Sequence, residues 1–195
     1  MNTNNKNNYL PSLNEDLVII SQVFNYIKNY LHANEEMDHL DMEFVDFIIT
    51  FCNTFLTSIY FKSEESILFK KLTDLSINPL MTVKMKEVTT EHHFIDYLVK
   101  KLSLLQTQYN TGNNSCIEEI HSLLRTLSES FDKLTRKQKE LFPLIDQFLS
   151  SSQKEQLNSE LQQFNQSIIK ELIHHLIIEK YQKYNTIPKN LTQVE

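Results

Sequence analysis

A single glycine, Gly112, occurs among 195 residues, beside only four prolines. Two-residue β-hairpins and phosphate-cradling loops rely on glycine for backbone conformations that other residues adopt only at a cost, so neither organises this chain. Leu, Ile, Lys, Glu and Gln are abundant instead. These are residues that a helix accommodates with little loss of side-chain freedom. The expected fold class is all-α.

Apolar spacing and breakers divide the chain into five helices. The first runs from Leu13 to about Ala33, with Pro11 and Ser12 at its start and Glu15 and Asp16 in its first turn. Its apolar face is Leu13, Leu17, Ile20, Phe24, Ile27 and Leu31. The second runs from Asp41 to Leu72 or Leu75 and ends at Ser76-Ile77-Asn78-Pro79, because proline disfavours helix at the residue before it. The third runs from Leu80 to Gln108 along Met81, Met85, Val88, His92, Ile95, Val99 and Leu102. Thr111-Gly112-Asn113-Asn114-Ser115 is a turn, with Ser115 as the expected cap of the fourth helix, Cys116 to Leu149. Pro143 inside that helix is expected to kink or break it. A fifth helix, Gln153 to Tyr184, follows Ser150-Ser151-Ser152. The first four are expected to form an up-down-up-down bundle, with the fifth packed outside it. The expected division is a tail over 1–10, one bundle domain over 11–185 and a tail over 186–195.

Stepping back along the second helix from Leu72 by fours and threes gives Leu68, Glu65, Phe61, Ser58, Thr54, Phe51, Phe47 and Phe44. This α-helical period puts Glu65 on the buried stripe, where an ionised carboxylate needs a metal, a basic side chain or a proton. Glu64 is expected in solvent and His93 on the flank of its helix.

Composition narrows the partners. The net charge is −6 with histidine neutral, which argues against a nucleic-acid surface. Two cysteines, Cys52 and Cys116, form no CxxC pair and fit a reducing compartment. The start, Met1 to Tyr9, lacks the basic and apolar layout of a secretory leader, and no charge-free apolar run is long enough to span a bilayer. A cytoplasmic protein with no membrane partner is expected. No nucleophile elbow or HExxH helix occurs. Glu171, His174, His175 and Glu179 give the last helix a metal-capable spacing, which is common by chance on helices bearing histidine.

Four short stretches carry a family resemblance. They are Glu15-Asp16-Leu17-Val18-Ile19-Ile20, Lys62-Ser63-Glu64-Glu65-Ser66-Ile67-Leu68-Phe69, Thr90-Glu91-His92 and Leu141-Phe142-Pro143-Leu144-Ile145-Asp146. In this order, on four successive helices, they resemble the bacterial hemerythrin-like, or HHE cation-binding, family from about Leu13 to Tyr184. The resemblance implies a pair of non-haem irons held inside the bundle by imidazoles and carboxylates. Carried onto this chain, the helix-one histidine falls on Leu17 and the helix-two histidines on Tyr60 and Phe61. Glu65 and His92 are kept, and the helix-four ligands fall on Lys133 and Lys137. Leu17 and Phe61 offer no lone pair, and ammonium groups repel a dication.

The expected protein is therefore a metal-free, non-enzymatic relative acting in interaction or regulation, with an unidentified protein partner and no cofactor. In this reading Lys137 pairs with a buried Glu65. A one-residue slip of helix four instead puts both lysines in solvent, and His92 also reads as a core histidine bonded to Glu65 or Tyr60. One alternative keeps a non-haem di-iron centre for oxygen sensing or peroxide handling, using Glu65 and His92 with Glu64, His93 and Tyr60 as substitute ligands. Another places haem or a small molecule against Leu17, Phe61 and His92.

Overall fold

The computed structural model describes residues 10–33 and 40–165. All regular structure among them is helical, as expected, and no strand occurs. Helix α1 is Pro11–Ala33. Helix α2 is Met42–Asp74, α3 is Pro79–Asn110, α4 is Ile117–Phe148 and α5 is Ser151–Asn165. The expected fifth helix beyond Asn165, and with it the Glu171, His174, His175 and Glu179 cluster, lies outside the described residues.

Local chemistry sets the helix ends. Asp41 caps α2 by accepting a hydrogen bond from the Phe44 amide at 3.1 Å, while its own amide donates to the Tyr30 hydroxyl. Asn78 caps α3 by accepting from the Met81 amide at 2.9 Å, with Pro79 in the first turn. Gly112 carries φ +97°, the conformation for which its missing side chain suits it. The cap after this turn differs from expectation. Asn113, not Ser115, accepts from the Ser115 amide and starts a short 3₁₀ turn, Asn114–Cys116. Helix α4 runs through Pro143 to Phe148 without interruption.

Ion pairs show which helices lie side by side. Lys84, Glu91 and Lys101 of α3 meet Glu140, Lys137 and Glu119 of α4 in reverse order, so these two helices run antiparallel. Helix α1 packs on α4 through stacked Phe24 and Phe131 rings, 4.1 Å between centroids. Helix α5 packs on α1 and on the second half of α2, burying Leu157 and Leu161.

The buried stripe of α2 departs from the expected period. Phe44, Ile48, Cys52, Leu56, Tyr60, Glu64, Leu68 and Leu72 are each fully buried, and each follows the last by four residues. On a regular α-helix a four-residue step overshoots one turn by about 40°, so such a row would spiral off the core. Two π-helical stretches, Cys52–Phe61 and Glu64–Phe69, prevent this. A turn closed by an i→i+5 bond holds one more residue than an α turn and winds the row back. The Ser58 hydroxyl follows the same wide turn, donating to the Asn53 carbonyl at 2.7 Å. Thr54 and Ser58, expected on the buried face, are exposed. Helix α2 is also long and apolar enough by composition to cross a membrane, and 67% of its most apolar window is buried inside the protein.

Candidate functional site

The wide turns place Glu64 where the α-helical period placed Glu65. The Glu64 side chain is fully buried, whereas that of Glu65 is 33% exposed. A displacement of one residue also occurs on two neighbouring helices, backward on α1 and forward on α4. On α1, Asp16 is fully buried and Leu17 only partly so. On α4, the inward residue after Leu134 is Gln138, which is 1% exposed. Lys137 lies beside it and pairs with Glu91 of α3 at 2.6 Å, not with Glu65. Lys133 is exposed. The expected Glu65–Lys137 pair is therefore absent. Four residues separate Leu134 from Gln138, and that step, rather than the three to Lys137, continues the inward row.

Helix α3 was the legible one. His92 is buried as expected and lies between both acids. Its Nδ1 is 2.7 Å from Glu65 Oε1. Its Nε2 is 3.0 Å from Glu64 Oε2, at ion-pair distance but off the line of a good hydrogen bond. Phe61 covers one face of the imidazole, with ring centroids 3.9 Å apart and planes 14° from parallel.

Gln138 closes the cluster. Its Nε2 donates to both Glu64 oxygens, at 3.0 and 2.8 Å, and lies 2.9 Å from the Tyr60 hydroxyl. The reversed amide would set its carbonyl against the carboxylate, so the donor orientation is the favourable one. Asp16, Tyr60, Glu64, His92 and Gln138 thus come from four helices and are all buried.

Electrostatics follow from this packing. Burial disfavours a charged imidazole, but the close contacts with Glu64 and Glu65 and the charge of both outweigh it, so the His92 pKa is raised. Burial pushes the Tyr60 phenol well up, and the nearby Glu64 and Asp16 carboxylates add to this. Both shifts favour the proton-bearing form, an imidazolium at His92 and a neutral phenol at Tyr60.

Both imidazole nitrogens already face carboxylates, and Gln138 turns a donor, not a lone pair, towards Glu64. Among the described residues no group of three or more His, Cys, Asp or Glu side chains is placed to hold a metal ion. The arrangement does not fit a di-iron pair, which needs several nitrogen and oxygen donors directed at each metal. Phe61 and His92, expected to line a haem or small-molecule pocket together with Leu17, stack on each other.

Beside the cluster, a cleft of about 420 Å³ opens between α2 and α3. Lys62, Glu65, His92, His93, Asp96 and Lys100 are among the residues that line it.

The missed residues, Asp16, Glu64 and Gln138, each stand next to a position singled out in the sequence. The row at every fourth residue of α2, apolar except at Glu64, was the available signal. No family model, curated protein or solved structure matches this chain.

Proposed function

We propose that the chain is a hemerythrin-like, up-down-up-down four-helix bundle, formed by α1 to α4, in which an imidazolium takes the place of the metal. In this reading it binds no iron, catalyses no reaction and acts in the cytoplasm through protein interaction or regulation. The observation that carries the reading is His92 held between Glu64 and Glu65, with Gln138 donating to Glu64 from the opposite helix. A positive charge and amide donors neutralise the buried acid, which is the task a metal would otherwise perform.

The convergence of four helices on one polar level supports the family resemblance. Tyr60 and His92 occupy positions that the resemblance assigns to ligands. Asp16, Glu64 and Gln138 each lie one residue from such a position. Metal analysis of purified, untagged protein, before and after anaerobic loading with ferrous iron, tests the proposal. The expected result is less than stoichiometric metal and no oxo-bridge absorption. Two irons per chain would end it.

A second reading draws on the chemistry of the same side chains. Asp16, Tyr60, Glu64 and His92 offer oxygen and nitrogen donors of the kind non-haem iron takes. It requires His92 to release a carboxylate and Tyr60 to ionise. A phenolate-to-iron charge-transfer band, lost in Tyr60→Phe, would favour it over the metal-free reading.

A further inference from the structure

Helix α3 carries a second stripe, on the side away from the core. Leu80, Val83, Phe94, Tyr97 and Leu104 are 41–58% exposed, and Phe94 and Tyr97 stack on each other at 6.4 Å. Isolated exposed apolar side chains are ordinary, but a row of five along one helix is the kind of surface that partners cover. Among the described residues, helix α5 packs on α1 and α2, and the row is exposed.

The charges within the stripe indicate what covers it. Glu87 and Lys101 are charged members of this row, and each lies seven residues from Phe94. Seven residues are about 10.5 Å of helix, so a two-fold axis beside Phe94 reverses the helix and exchanges these two levels. Glu87 then faces Lys101 of the partner subunit. Each has a neighbour in its own chain, Lys84 for Glu87 at 3.2 Å and Glu119 for Lys101 at 2.7 Å. The row across the axis reads Lys84, Glu87, Lys101 of the partner subunit, Glu119 of the partner subunit, with alternating sign. The apolar residues obey the same operation. Val83 lies eleven residues before Phe94 and Leu104 ten after it, so each meets its counterpart's level. A parallel pairing would instead set Glu87 against Glu87.

We infer that the outer face of α3 is the interface of an antiparallel homodimer, closed around Phe94 and Tyr97 and aligned by Glu87 and Lys101. The inference stands independently of the metal-free reading, because the stripe lies outside the polar cluster. Sedimentation velocity on the full chain, over a concentration series, tests it. The expected species is a dimer that Tyr97→Asp with Leu104→Lys converts to monomer while circular dichroism stays unchanged. Glu87→Lys alone, or Lys101→Glu alone, should weaken association about tenfold, and the double reversal should restore it. A monomeric wild type overturns the inference, as does a dimer indifferent to the Tyr97 and Leu104 changes. A monomer that co-sediments with phosphatidylserine vesicles also overturns it, by assigning the stripe to a membrane surface. Unrestored association in the double reversal would remove the antiparallel alignment.

Discussion

Helices α2 and α3 lie against each other and supply the two halves of one cluster, yet they wind differently. On α3 the buried residues Met81, Met85, Val88, His92, Ile95, Val99 and Leu102 follow the α-helical alternation of four and three. On α2 the buried row advances by four throughout, because wide turns at Cys52–Phe61 and Glu64–Phe69 absorb the extra residue. A histidine on α3 could therefore be placed from spacing alone, whereas a glutamate on α2 was placed one residue away. Helical period is thus a property of each segment, and a buried charge is where an error of one residue matters most.

The sharpest way to break this contrast is to remove each glutamate in turn. Glu64→Ala strands a buried imidazolium and the Gln138 amide and should cost about 3–5 kcal/mol. Glu65→Ala, at a half-open position, should cost about 1 kcal/mol or less. Urea unfolding of both variants measures the difference, and a larger loss for Glu65 would restore the simple α-helical period. The apolar counterpart is next in size. Leu56→Ala should cost about 2–5 kcal/mol, because Leu56 is fully buried. Ser58→Ala, which the expected stripe would have buried, should change stability by about 0.5 kcal/mol or less.

The acid–imidazole contact makes the comparison sensitive to pH. His92 has a raised folded pKa, so its ionic contribution is fully present below the ordinary value of 6.5 and is lost as pH rises through the folded value. Glu64 and Glu65 face it directly, while Asp16 and Tyr60 flank Glu64. Stability should therefore decline with alkalinity above 6.5, and His92→Gln should flatten that limb. An unaltered limb in the variant would locate the titration elsewhere. The smallest effect belongs to the lysines of α4. Lys137→Ala, which loses the partly exposed Glu91 contact, should cost about 0–1 kcal/mol, and Lys133→Ala should be silent in the same unfolding assay.

Much of the fold was legible because scarce glycine and clear breakers leave few alternatives to helix. Pro79 and Gly112 mark real ends, and the first four helices fall within a few residues of their expected limits. The site was legible only where the backbone is regular. His92 could be placed because α3 is an uninterrupted α-helix. Glu64 could not, because a π turn arises from backbone bonding that no single residue type announces, although the row Phe44, Ile48, Cys52, Leu56 and Tyr60 is more apolar than the row through Thr54 and Ser58. On α1 and α4, Asp16 and Gln138 were passed over because a core face is ordinarily sought among apolar residues, and here the inward positions are polar. Their role emerges only when Tyr60, Glu64 and His92 stand beside them.

Cys52 sits in the first wide turn with no exposed surface, and burial pushes its thiol up to about 12. Such a sulfur is inert towards alkylating reagents as long as the surrounding turns stay closed. Its modification rate in native buffer consequently serves as a clock for local opening of α2. With Cys116 replaced by serine, a single thiol would time how often the irregular segment breathes, in wild-type protein and in any variant of the acid cluster.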